Sequence, residues 1–238
     1  MEALQTLRSW VQESRSIVFF GGAGVSTESG IPDFRSTDGL YHQKFDYPPE
    51  KILSHSFFVH KTEEFYRFYR EKMLPLEAQP NVVHTTLARW EREGKLQAVV
   101  TQNIDGLHQK AGSKTVCELH GSVLRNYCQK CGKFFPAEYI RDTAGVPRCE
   151  CGGILRPDIV FYGEMLDEKK LSRAISAIRA CDLLLAVGTS LVVYPAAGLV
   201  RYAPKGARFV IVNFDETPYD DMADLVLHED ITAVFRAL

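Results

Sequence analysis

The sequence predicts an α/β protein: a doubly wound, mainly parallel sheet carrying a smaller second module. Three observations carry that prediction. Continuous aliphatic or aromatic runs stand at residues 17–20, 98–100, 183–187 and 209–212, the pattern of strands buried on both faces of a parallel sheet. Helix-like segments at 85–93, 168–180 and 195–202 lie among them, and alternation of this kind marks a doubly wound sheet. Two stretches, 36–76 and 124–157, break the alternation and together form the second module.

Taken in order, the chain opens on MEALQTLRSWVQESRS, in which Leu4, Leu7 and Val11, with Trp10 beside them, recur at helical spacing. This predicts a surface helix, too polar and acidic for a secretory signal. The strand at 17–20 runs into GGAGVSTESGIPDFR, residues 21–35. Residues 36–76 are aromatic-rich and read as helical. The helix at 85–93 leads to the strand at 98–100, and TQNIDGLH, residues 101–108, then crowds two amides and a carboxylate at its end. Another strand, Val116 to Leu119, stops at His120-Gly121. The segment at 195–202 begins with a proline, which the first turn of a helix accepts. The boundaries so drawn give a sheet domain of 1–35, 77–123 and 158–238, with 36–76 as the helical part and 124–157 as the cysteine-bearing part of the small domain.

Composition narrows the function classes. The chain has 238 residues, 45% hydrophobic and 24% charged, which suits a globular protein with a proper core. A net charge of -2 gives no global pull toward nucleic acid or an anionic membrane. No apolar run approaches the roughly 18 residues needed to span a bilayer. The expected setting is therefore the cytoplasm, with neither nucleic acid nor membrane as a partner, and the expected state is a monomer.

Three groups of residues carry chemistry. Glycines at a strand-to-helix turn, here Gly22 and Gly24, let backbone N–H groups approach a phosphate, and a helix start adds its positive end. The dinucleotide fingerprint is incomplete, because Thr27 stands where it wants Gly or Ala and His42 where it wants an acid. Cys128-x-x-Cys131 and Cys149-x-Cys151 supply four thiolates, the donor set of a structural zinc with no open position. Cys117 and Cys181 read as core residues. His120 falls at the carboxyl edge of the sheet, where doubly wound folds bind ligands, and histidine is the usual general base near neutral pH.

Together these segments resemble the sirtuin family, NAD-dependent protein-lysine deacylases, in its bacterial type. The matches are Gly22-Ala-Gly-Val-Ser26, Gly30-Ile-Pro-Asp-Phe-Arg35, Thr101-Gln-Asn-Ile-Asp105, His120-Gly121, the cysteine quartet, Arg156-Pro-Asp-Ile-Val-Phe-Tyr-Gly-Glu164 and Gly188-Thr-Ser190. They occur in family order from about residue 15 to the end. Gly21 stands where many relatives have Thr or Ser.

The resemblance implies a Rossmann-like domain with a small zinc-binding and helical module, NAD and acyl-lysine meeting in the cleft between them. It implies that Gly22, Ala23, Thr27, Asp33, Phe34 and Arg35 line the phosphate and nicotinamide end of NAD. Gly188, Thr189 and Ser190 would hold phosphate or ribose, Asn213 the adenosine ribose, and Asp230 and Ile231 the adenine. Asp105 with the Ile104 backbone would grip the carboxamide, Asn103 would order a water, and Gln102 would orient ribose hydroxyls. His120 would be the base. Val160, Phe161, Gly163 and Val193 would pair with the substrate peptide by backbone hydrogen bonds. The implied reaction is deacetylation of acetyl-lysine in proteins, giving free lysine, nicotinamide and 2′-O-acetyl-ADP-ribose. Residues 36–62 lack the Tyr-x-x-Arg pair of desuccinylating relatives, so acetyl or another uncharged acyl group is expected. Mono-ADP-ribosyl transfer, or a non-catalytic NAD-sensing zinc-ribbon adaptor, are the competing readings. The adaptor would need neither His120 nor the Gln102-Asn103-Asp105 cluster.

Overall fold

The computed structural model describes residues 2–33, 39 and 45–238. Its main sheet has six strands: β1 Ile17–Gly21, β2 Leu96–Thr101, β3 Val116–Glu118, β7 Leu183–Val187, β8 Arg208–Val212 and β9 Leu225–Leu227. They lie in the order β3-β2-β1-β7-β8-β9, and every neighbouring pair is parallel. The order reverses between β1 and β7, which makes their carboxyl ends the switch point where such sheets open a crevice. A second sheet, β5-β4-β6, is antiparallel and joins β4 Gly121–Cys128, β5 Phe134–Pro136 and β6 Leu155–Ile159. It is inserted between β3 and β7, and its central strand β4 and outer strand β6 cross the positions 123 and 157 at which the sequence divides the modules.

Side chains alternate across each strand, so the central runs feed two cores. Ile17, Phe19, Val99, Leu185 and Val210 face the helices α1 Glu2–Glu13, α5 Val82–Arg92 and α9 Ile231–Arg236. Val18, Phe20, Val100, Leu184 and Ile211 face α8 Glu168–Arg179 and the 3-10 turn Ala196–Tyr202. Burial on both faces is why these runs read as continuous rather than alternating. Each fully buried aliphatic or phenyl group contributes about 1.5–3 kcal/mol.

A third core belongs to the small module. Helices α2 Pro49–Ile52, α3 His55–His60 and α4 Thr62–Lys72 pack Phe57, Phe58, Phe65, Tyr66 and Tyr69 against Leu155, Phe161, Cys128 and Cys149. On α4 the aromatics fall one, three and four residues apart, which points them to one side. Arg70 donates to Ile140 O at 2.8 Å and Tyr66 OH to Leu155 O, so the helical and cysteine-bearing parts are joined.

Two helix readings change. The segment at 195–202 is a 3-10 turn, Ala196–Tyr202, with Pro195 as its cap residue rather than inside an α-helix. The helix read at 85–93 begins earlier, at Val82, because Asn81 and His84 form a reciprocal capping box. Histidine in place of the usual Glu or Gln hides that signal in the sequence. Two short helices also complete the described chain, α6 Leu107–Lys110 and α7 Ala137–Asp142.

Candidate active site

The crevice at the switch point is one cavity of about 560 Å³. Gly22, Ala23, Thr27 and Asp33 line it after β1, Gln102 to Asp105 after β2, and His120 after β3. Gly188, Thr189, Ser190 and Val193 line it after β7, Asn213 after β8, and Asp230 and Ile231 after β9. Val160, Phe161 and Gly163 close it from the β6 side. The residues proposed from widely separated motifs are thus brought together, save two: Phe34 and Arg35 lie outside the described residues.

The glycine turn works differently from the sequence expectation. Residues 23–29 form a 3-10 turn, so there is no long helix behind it. Gly22 N–H donates to Val187 O at 3.1 Å and Gly24 N–H to Gly188 O at 2.9 Å, which removes both from the donors open to a phosphate. What glycine provides here is close approach: a Cβ on Gly24 would fall 2.9 Å from Gly188 Cα. The loop after β1 is thereby pressed onto the loop after β7, and Ala23 and Thr27 present the remaining rim. Thr27 Oγ1 closes the turn on Gly24 O at 3.0 Å.

The polar cluster after β2 is wired to this loop by a residue given no role in the sequence reading. Ser26, 1% exposed, donates from Oγ to Asp105 Oδ2 at 2.7 Å and accepts from Asn103 Nδ2 at 3.1 Å. A small polar residue inside a loop motif was the only signal for it. Asp105 Oδ1 also accepts from Leu107 N at 2.9 Å. Burial raises the Asp105 pKa, against the Leu107 and Ser26 hydrogen bonds and with the help of nearby Glu118. Gln102 Nε2 donates to Thr189 Oγ1 at 2.9 Å, linking the ends of β2 and β7.

His120 is held from two sides. Its Nδ1–H donates to Gln102 O at 3.0 Å, which leaves Nε2 as the proton-accepting nitrogen. Burial pushes its pKa below the ordinary histidine value, opposed by the Gln102 carbonyl and reinforced by the Lys170 charge. The backbone turns sharply beside it: Gly121 has φ +82°, and a Cβ there would lie 1.9 Å from Asp158 O. His120 O accepts from Val160 N at 3.0 Å, so the His120 backbone and the 160–163 edge share a connection. Phe161 is 2% exposed, its ring tilted against Phe58 and edge-on to Phe65 in the aromatic core.

At the positions expected to meet adenosine the side chains are engaged locally. Asn213 Nδ2 donates to Asp215 O at 2.7 Å, and Asp230 caps α9 by accepting from Ala233 N at 2.6 Å.

The cysteines pass a geometric test for a metal. The four Sγ atoms of Cys128, Cys131, Cys149 and Cys151 all lie within 4.8 Å of one another. Cys128 and Cys151 are 3.4 Å apart and Cys131 and Cys149 3.7 Å. A tetrahedron of thiolates about 2.3 Å from zinc has edges of about 3.8 Å. The tight Cys149-x-Cys151 spacing therefore still delivers two ligands, and all four positions belong to protein. The residues fit a structural zinc. None of the six cysteines is in a disulfide, and Cys117 and Cys181 pack in the second core of the main sheet.

The comparisons agree with this geometry. A family model described as the Sir2 family matches residues 22–195. A protein of Clostridium acetobutylicum named NAD-dependent protein deacetylase is 54% identical, the match covering 100% of this chain and 98% of that one. A solved structure of a Sir2 variant with deacetylated p53 peptide and 3′-O-acetyl ADP ribose superposes with TM-score 0.91 at 42% identity, covering 98% of this chain and 96% of that one. Another, of Sir2 with p53 peptide and NAD+, gives TM-score 0.85 at 43% identity over 98% and 95%.

Proposed function

The chain belongs to the Sir2 family, and from that premise we infer that it is an NAD-dependent protein-lysine deacetylase. It releases the acetyl group of acetyl-lysine in proteins, giving free lysine, nicotinamide and O-acetyl-ADP-ribose. The 2′ ester is the product we propose to form first; a vicinal ribose hydroxyl exchanges an acyl group readily with its neighbour, and the related structure holds the 3′ ester. The observation that carries the reading is the convergence of Gln102, Asn103, Asp105 and His120 on one cavity from the ends of two strands.

NAD, when bound, supplies a ribosyl carbon bearing nicotinamide as its leaving group. The rest is the work of this chain. Asp105 and the Ile104 backbone grip the carboxamide, and the Ser26 hydroxyl and Leu107 N–H fix the carboxylate that does so. Asn103, 8% exposed and tied to the same hydroxyl, orders a water. Gln102, aligned by Thr189, orients ribose hydroxyls. His120, neutral at pH 7 because burial disfavours its cation, accepts a proton at Nε2. Fixed dipoles lining the cavity stabilise the positive charge that develops at the ribose.

The rim formed by Gly22, Ala23, Thr27, Gly188, Thr189 and Ser190 holds phosphate and ribose, with Asn213, Asp230 and Ile231 at the adenosine end. The backbone of Val160, Phe161, Gly163 and Val193 receives the peptide. Cys128, Cys131, Cys149 and Cys151 hold zinc, which stabilises the small module and leaves no coordination site for catalysis. The proposed division remains a Rossmann-like domain and a helical-plus-zinc domain. A cytoplasmic monomer is the setting we propose, supported by unpaired cysteines and by the lack, among the described residues, of a helix able to cross a membrane. The test is incubation with an acetyl-lysine peptide and NAD. Nicotinamide should appear in step with deacetylated peptide; peptide left acetylated by zinc-replete protein would remove the enzymatic reading.

A further inference from the structure

Arg156 and Glu164 bracket the segment RPDIVFYGE, whose middle is the edge on which the acyl-peptide pairs, and the chemistry above uses neither of them. The Glu164 carboxylate, 19% exposed, faces donors alone. Arg156 Nη2 donates to Oε1 at 2.8 Å and to Oε2 at 2.6 Å. Phe161 N–H donates to Oε2 at 2.9 Å, and His55 Nδ1–H to Oε1 at 2.7 Å. These donors come from β6, from the edge itself and from α3. Burial works to raise the Glu164 pKa, but Phe161 N–H, His55 and Arg156 hold it below the ordinary carboxylate value. The same guanidinium lies 4.8 Å over the Phe161 ring and reaches Ile159 O at 3.4 Å.

The backbone shows what this cluster does. Val160 N–H is held by His120 O at 3.0 Å, and Tyr162 N–H by Leu53 O at 3.0 Å. Tyr162 O in turn accepts from His55 N at 3.1 Å. Successive amides of an extended chain point to opposite sides, so these bonds hold residues 160 and 162 and leave the amide between them facing away. Glu164 takes that amide.

We propose that Glu164 is the positioning residue of the peptide-binding edge: clamped by Arg156 and His55, it fixes the backbone of residues 160–163 in the shape against which the acyl-peptide pairs. The proposal rests on the deacetylase reading of this edge. It also makes a discriminating prediction for a near-isosteric change. In Glu164→Gln the new amide NH2 must face a donor whichever way it is turned, so one side of the clamp opens.

The experiment is steady-state kinetics of Glu164→Gln with each substrate varied in turn. The KM for acetyl-peptide should rise about tenfold, in line with loss of a charge-assisted hydrogen bond. The kcat and the KM for NAD should stay within about twofold, as for lost uniform binding. Arg156→Lys should move the same parameter, because an ammonium cannot replace the planar guanidinium over Phe161. An unchanged peptide KM with a lowered melting temperature would show a role in stability only and overturn the proposal. So would a fall in kcat at constant peptide KM, or loss of ADP-ribose binding in both variants. Wild-type protein that does not deacetylate with NAD defeats the deacetylase reading instead; active wild type with an unaltered variant defeats the clamp alone.

Discussion

At the scale of single residues, the site is a set of short polar side chains whose partners fix their roles. His120 is bonded through Nδ1 to a carbonyl, so its basic nitrogen is chosen by the backbone of Gln102. Its pKa lies below the ordinary histidine value. In its proposed role as base it must be unprotonated, so activity is expected above that folded-state pKa and should be lost as pH falls through it. The pH profile of kcat/KM is expected to show an acid limb with its midpoint below 6.5, and a midpoint above it would contradict the assignment. His120→Ala should lower kcat by at least about 100-fold, the usual size of a lost general base, with thermal stability little changed. Ser26 makes a sharper test because it touches two members of the cluster. Ser26→Ala should lower kcat/KM for NAD by about tenfold through a freed Asp105 and Asn103, and kinetics at neutral pH will read it. This residue was hidden in the sequence, since a serine in a loop motif says nothing of what it bonds. Gln102, Asn103, Asp105 and His120 were legible because polar groups at the end of a buried strand need a reason.

At the scale of elements, strands were more legible than turns. Residues 183–187 coincide with β7 because a five-residue aliphatic run between polar flanks is too short for a buried helix, whereas β9, three residues long, leaves no periodic signal. The 3-10 turn at Ala23–Ser29 and the one at Ala196–Tyr202 were read as helices, because side-chain pattern over two turns cannot separate the two hydrogen-bond schemes. Helix α5 shows how an element supports the site. Asn81 caps it and also donates to Val25 O at 2.8 Å and to Ser29 Oγ at 3.1 Å, holding the turn after β1. Asn81→Ala is expected to cost about 1 kcal/mol or more in denaturant unfolding, the worth of a cap plus these ties. On the same helix the His84 ring lies 4.7 Å from that of His108 of α6, tilted by 57°, and both are buried. Burial depresses the His84 pKa to about 4 and His108, which also feels His84, well below normal. Both must enter the fold neutral. A depressed histidine favours the native state above the unfolded pKa of 6.5 and loses that advantage as pH falls toward the folded value. For His84 this is on the order of 3 kcal/mol between those limits. Unfolding free energy should fall over that window and fall less in His108→Leu. Equal pH dependence in the two proteins would exclude the pair as the cause.

At the scale of the whole molecule, a six-stranded sheet provides the crevice proposed to hold NAD, and an inserted module provides the proposed peptide edge, the four-cysteine cluster and the aromatic core. That the central strands are buried on both faces follows from runs that lack polar faces, but the order of the strands and the joining of the two inserts could not be read from sequence. It depends on Arg70 and Tyr66 meeting the backbone at Ile140 and Leu155. Cys149-x-Cys151 is one residue tighter than Cys128-x-x-Cys131, and only the folded chain shows the four sulfurs converging. Metal removal by a chelator should therefore expose amides at 121–159 to hydrogen exchange before those of β1, β2 and β7. Activity retained by a stably folded, metal-free protein would contradict the structural role. The central claim is that the acyl group passes to the ribose of NAD rather than to water. It is tested most directly by tracing a labelled acetyl group from peptide-lysine during turnover with NAD. The label should be recovered in O-acetyl-ADP-ribose, in equal amount with nicotinamide and deacetylated peptide. Label recovered as free acetate with NAD intact, or left on lysine while ADP-ribose is transferred to protein, would contradict it.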